Sequence, residues 1–209
     1  MIRVITIERE YGSGASDIAG KLAARLHWKL WDQLLTDEIA RLMNCSSRTV
    51  EEREERRDPL RYRLLKGFML GSFEGTYAPR LELVDADHIV TITRRLVTSA
   101  AQEGNAVIVG RGSAYHLQER PDAFHLFFYA PFEDRVRRLR AMGNSESDAI
   151  ELAETVDRDR SEYIKRYFNI EWPARHFFHL MINTKVGDEL VVEAILESVA
   201  LFEKQFAQQ

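Results

Sequence analysis

Apolar positions along the chain follow two rhythms. Val4-Ile5-Thr6-Ile7 is a compact β-branched run, the pattern of a strand buried on both faces. Gly12-Ser13-Gly14 comes next, and then Ile18, Ala19, Leu22, Ala23 and Leu26 recur at helical spacing. Strand, glycine turn and helix are the opening of an α/β unit. Trp28 to Trp31 reads as a brief second strand, and Thr36 or Asp37 caps a helix carrying Ile39, Ala40 and Met43. Ile89, Ile92, Leu96, Val97 and Ala100 predict a helix from Asp87 to Glu103. Ala106 to Val109 and Phe124 to Tyr129 are two further buried strands, and Pro131 starts a charged helix with Val136 and Leu139 inward. Residues 145–168 read as one long polar helix or two. Leu180-Met181-Ile182 is the last strand, followed by a helix with Leu190, Val191, Ile195, Val199 and Phe202 on one face.

Two stretches break the rhythm. Residues 51–63 alternate charge sign around Pro59, and residues 66–80 carry Gly67, Gly71, Gly75 and Pro79, so irregular chain is expected there. Elsewhere strands alternate with helices, which predicts a mostly parallel sheet covered on both faces. Ligands of such sheets sit beyond the carboxyl ends of the strands. That directs attention to residues 8–16, 32–33, 110–113 and 130–135.

Arg9-Glu10-Tyr11-Gly12-Ser13-Gly14-Ala15-Ser16 lies where a phosphate-binding loop would lie. Glycines let backbone amides turn inward, and with the following helix N-terminus they make an anion site. Ser16 is a candidate hydroxyl ligand for Mg²⁺. The pattern G-x-x-x-x-G-K-[ST] is not met, because Arg9 stands at the first glycine and Ala15 at the lysine. A strand-to-helix turn that needs glycines only for packing has the same sequence. If the loop holds a triphosphate, another cation must take the lysine's place: Arg9 and Lys21 are near in sequence, and Arg111, Arg158 and Arg160 are candidates through folding.

Composition narrows the class. The chain has 209 residues, a length that predicts one domain with a core needing no disulfide or metal. Its 29 basic and 33 acidic residues leave a net charge of −4, which argues against a nucleic-acid binder. The single cysteine, Cys45, suits a reducing compartment, and no apolar run is long enough for a membrane helix, so a cytoplasmic protein without a membrane partner is expected. His176 and His179 are three apart, but their aromatic neighbours Phe177 and Phe178 favour packing over metal binding.

Several segments, in order, resemble the nucleoside monophosphate kinases, and most closely the cytidylate kinase-like family. ITIEREYGSGASDIAGKLA at 5–23 looks like that family's modified phosphate loop, and WDQLL at 31–35 like its next strand end. AVIVGRG at 106–112 and RPDAFHLFFYAP at 120–131 resemble its following strands, VDRDRS at 156–161 its arginine-bearing lid, and INT at 182–184 its last strand. The resemblance implies a three-layer α/β fold of the P-loop NTPase type in a single domain over 1–209, with an acceptor-binding helical lobe near 36–86 and a lid near 145–175. It implies ATP and Mg²⁺ as cofactors and a small nucleotide as acceptor. Gly12, Ser13, Gly14, Ala15 and Ser16 would cradle the ATP phosphates, with Ser16 toward the metal. Arg9, Arg158 and Arg160 would supply positive charge at the transferring group. Asp32, Arg111 and Asp159 would hold the acceptor, Asp32 alternatively reaching Mg²⁺ through water. The sequence departs from true cytidylate kinases at Val109 and Gly112, where those enzymes carry acids, and at Thr155 and Glu162 in the lid. Two other readings stay open: a nucleotide sensor of the same fold, and a kinase for another small metabolite.

Overall fold

The computed structural model describes residues 1–32, 34, 35, 37–39, 42 and 86–206. Five strands form one sheet: β1 (Val4–Arg9), β2 (Lys29–Trp31), β3 (Ala106–Val109), β4 (Ala123–Tyr129) and β5 (Leu180–Asn183). Their order is β2-β3-β1-β4-β5, and every pairing is parallel. β1 sits at the centre, with Ile5 opposite Val107 on one side and Phe124 on the other. Parallel strands need crossovers, and helices α1 (Ala15–Leu26), α2 (Ala86–Glu103), α3 (Ser113–His116), α4 (Phe132–Ala141), α5 (Glu146–Phe168) and α6 (Asp188–Phe206) are described around them.

The two faces of β1 are covered differently. Ile5 and Ile7 pack with Val107, Val109, Leu126 and Phe128 against Ile18 and Leu22 of α1 and Val191 and Ile195 of α6. Val4 packs with Ala106 and Ile108 against Ile89, Val97 and Ala100 of α2, together with Leu35 and Ile39. This double burial is why β1 reads as a continuous apolar run rather than an alternating one. One polar pair interrupts it: Thr6 Oγ1 and His125 Nδ1 lie opposite each other in register, 2.7 Å apart.

Residues 146–168 make one helix. Ser145 caps it by accepting a hydrogen bond from the Asp148 amide, and it ends where Asn169 turns left-handed with φ of 57°. His179 belongs to the packing, since its Nδ1 accepts the His125 amide at 2.9 Å and its ring stacks on Phe124. The sequence segment expected to form an acceptor lobe, 36–86, lies for the most part outside the described residues, as do the 51–63 charge run and the 66–80 glycines.

Candidate active site

The loop between β1 and α1 turns on Gly12 and Gly14, with φ of 78° and 79°. A Cβ at Gly14 would come within 3.0 Å of Arg138, so the close approach of that side chain also requires glycine. A phosphate cradle needs amides pointing in and carbonyls pointing out. Three loop carbonyls are held from outside. Arg160 Nη1 donates to the Arg9 carbonyl at 2.6 Å, and Arg135 Nη1 to the Tyr11 carbonyl at 3.2 Å. The Ser13 carbonyl accepts from Thr184 Oγ1 at 2.7 Å and also from Arg138 Nη1. Ser13 Oγ is fully buried and has no hydrogen-bond partner among the described residues.

Asp157 of α5 completes this outer frame. Its Oδ1 accepts the Tyr11 amide at 2.8 Å and lies 3.2 Å from Arg160 Nη1, while its Oδ2 is 2.6 Å from Arg135 Nη1. Burial holds the Asp157 carboxyl above its ordinary value, against the pull of Arg160, the Tyr11 amide and Arg135.

Beside the loop lies a buried charge cluster. Gly110, Arg111 and Gly112 are all left-handed, with φ of 67°, 61° and 64°. For Arg111 this costs about 1–2 kcal/mol, the kind of strain that persists where the surroundings fix the backbone. It delivers a fully buried guanidinium behind the end of β3. Burial, then repulsion from Arg9, lowers Arg111 to about 9, leaving it charged at neutral pH; Asp32 and Tyr163 act in the opposite direction. Asp32, just past β2, accepts a hydrogen bond from Ser16 Oγ at 2.9 Å. Burial raises its carboxyl, and Arg9, the Ser16 bond, Arg111 and Arg160 lower it. Glu8 is buried on β1 and also raised by burial, with Arg9 and Arg160 opposing. Three guanidinium groups, Arg9, Arg111 and Arg160, therefore meet three carboxyl groups, Glu8, Asp32 and, at Arg160, Asp157.

The sequence candidates separate on this geometry. Arg9, Asp32, Arg111, Asp159 and Arg160 are buried around the loop end of the sheet, Gly12 to Gly14 lie in the loop itself, and Ala15 and Ser16 open α1. Arg158 is exposed on α5, because residues two apart on a helix do not share a face. Lys21 points toward α6, 3.1 Å from Asp188 and 3.0 Å from Glu189. Arg135, Asp157 and Thr184 lie in segments to which the sequence directed attention, 130–135, 156–161 and 182–184, but were given no role of their own, and Arg138 lies outside them. The only signal for Arg138 is that the basic helix α4 begins beyond the carboxyl end of β4.

A model of the cytidylate kinase-like family matches residues 4–186. Among solved structures, the chain is similar to an uncharacterized protein from Eubacterium ventriosum, with 19% identity and a TM-score of 0.66, over 96% of this chain and 99% of that one. It is also similar to shikimate kinase from Bacteroides thetaiotaomicron, with 14% identity and a TM-score of 0.53 over 96% and 99% of the two chains. Shikimate kinase from Acinetobacter baumannii in complex with shikimate gives 15% identity and a TM-score of 0.53 over 96% and 94%. No curated protein matches. At these identities the solved structures establish the fold, which is that of the P-loop kinases. Among the described residues no helix is long and apolar enough to cross a membrane.

Proposed function

The chain belongs to the cytidylate kinase-like family, and on that premise we propose that it is an ATP-dependent phosphotransferase acting on a nucleoside monophosphate or a similar small phosphate acceptor. The observation that carries the reading is the loop whose Arg9, Tyr11 and Ser13 carbonyls are held by arginines, beside a buried cluster that brings Arg9, Arg111 and Arg160 together. Phosphoryl transfer asks a protein mainly for positioning and for cations around the equatorial oxygens.

Residues Gly12 to Ser16 are assigned to the donor phosphates, and the orphaned Ser13 hydroxyl suits a phosphate oxygen. Arg160 and Arg9 take the charge role of the missing lysine, and planar guanidinium groups suit paired phosphate oxygens. Arg111 and Asp159 are assigned to the acceptor. Arg158 reaches the transferring group only if α5 moves. Ser16 and Asp32 offer a hydroxyl and a carboxylate 2.9 Å apart, a hard-oxygen pair that fits Mg²⁺. Bound there, the ion would neutralise charge on the donor's terminal oxygens.

The test is ADP release with ATP, Mg²⁺ and each common monophosphate in turn. Activity with one or more acceptors is expected, and Arg160→Ala should lower kcat by about a hundredfold or more. Thermal stabilisation by ATP with no ADP formed from any acceptor would favour the sensor reading instead. The presence of Ala15 and Arg9 at the lysine and first-glycine positions is what keeps that reading in play.

A further inference from the structure

The backbone of Tyr11 is gripped at both its N–H and its carbonyl, in two successive peptide groups, by one buried ion pair. Its N–H donates to Asp157 Oδ1 at 2.8 Å, and its carbonyl accepts from Arg135 Nη1 at 3.2 Å. The two side chains also meet each other at 2.6 Å, and both are largely shielded from solvent. Arg135 belongs to α4 and Asp157 to α5, so the pair ties two helices to the loop at a single residue. Asp157 further contacts Arg160, three residues on, whose Nη1 holds the Arg9 carbonyl two residues before Tyr11. The Arg160 guanidinium lies 5.7 Å from the Tyr11 ring centroid, over the same segment.

We infer that Asp157 and Arg135 are positioning residues for the donor loop: the ion pair sets the two peptide groups that flank Tyr11, and through Asp157 it also fixes Arg160 against the loop. Neither side chain needs to touch the substrate. Their effect is that α5 and the phosphate loop move as one unit, so that the cation replacing the lysine is in place only when the loop has its binding shape. A structural ion pair elsewhere on the surface, such as Arg25 with Glu193, has no such reach. The inference rests on the kinase reading for its consequence in turnover, but not for its effect on loop geometry.

The experiment compares wild-type protein with Asp157→Ala, Asp157→Asn and Arg135→Gln in the full chain. Hydrogen exchange at the Tyr11 amide is measured without nucleotide. Affinity for a non-hydrolysable ATP analogue with Mg²⁺ is measured alongside. Loss of a hydrogen bond to a buried charge predicts exchange faster by about tenfold or more in Asp157→Ala, with analogue affinity weaker by about the same factor. Asp157→Asn keeps an oxygen for the Tyr11 amide, so it should restore much of the slow exchange while leaving affinity reduced. If Asp157→Ala does not fold, Asp157→Asn and Arg135→Gln decide by the affinity readout. Where phosphoryl transfer is found, kcat should fall while KM for the acceptor stays unchanged. Wild-type exchange and affinity in the folded variants would overturn the inference. Absence of any phosphoryl transfer would refute the kinase reading alone, since the exchange and binding results still stand.

Discussion

Gly110→Ala isolates the contact that packs Arg9 into the charge cluster. A Cβ at Gly110 would lie 1.8 Å from Arg9 Nη1 and 2.8 Å from its Cζ, at a backbone φ of 67°. The left-handed backbone alone costs an alanine about 1 kcal/mol. The clash adds more, because Arg9 is itself buried and its guanidinium must shift to admit the Cβ. Arg9 is the foremost charge opposing the burial penalty of both Glu8 and Asp32. Evicting it breaks a buried charge network, which typically costs about 3–5 kcal/mol. Gly110→Ala should therefore destabilise by about 4 kcal/mol or more in urea unfolding. In an Arg9→Ala background nothing remains to clash with, and the same substitution should cost only about 1 kcal/mol. The double-mutant cycle should thus show a coupling of about 3 kcal/mol. Costs that simply add, with Gly110→Ala equally harmful in both backgrounds, would refute the claim that this glycine exists to admit the guanidinium.

Two buried histidines shape the acid limb of stability. Burial, then Arg94, lowers His116 to about 4, and burial, then His179, lowers His125 to about 4. A base held neutral in the fold contributes stability present above its unfolded value near 6.5 and lost as pH falls toward 4, at most about 3 kcal/mol for each histidine. His125→Asn, which keeps a polar partner for Thr6, should flatten the fall in urea midpoint between neutral pH and about pH 4, and an unchanged slope would exclude His125 as its source. Glu8 acts with the opposite sign: its carboxyl is raised by burial, so the fold loses stability as pH rises through the raised value. The Tm gained by Glu8→Gln relative to wild type should therefore be larger at alkaline than at acid pH; a pH-independent difference would show that Glu8 does not titrate in that range.

The apolar rhythm made most of the sheet legible. β1, β3 and β4 are runs buried on both faces, and such runs need no partner to be recognised. The length of α5 was ambiguous in sequence because its face is polar; Ser145 and Asn169 settle it as single, and both signals are local. The turn between β1 and α1 was legible because glycine spacing is local too, and the turn that buries Arg111 because glycines flank it. The outer frame was not legible, because its contacts join residues 124 to 171 positions apart. Nothing at Arg135, Arg138, Asp157 or Thr184 marks them apart from other charged or hydroxyl residues in a helix or a strand end. Helical geometry could still have separated Arg158 from Arg160: a helix advances about 100° per residue, so two positions apart lie about 200° around the axis and only one can face the loop.

On the proposed function, the charge cluster would let a loop without the lysine serve as an anion site. A lysine is one hydrated point charge on a flexible stem, whereas Arg9, Arg111 and Arg160 are fixed by the backbone they hold or by the glycines around them. Holding three guanidinium groups together costs stability in the empty protein, and the lowering of Arg111 by burial and by Arg9 is the local sign of it. Glu8, Asp32 and, at Arg160, Asp157 offset that repulsion. On that reading, an arriving polyanion would add to this compensation and so favour the bound over the empty loop. Asp157 fits the same scheme from the other side. By engaging Arg160 and Arg135 it ties both cations to the outer frame of the loop.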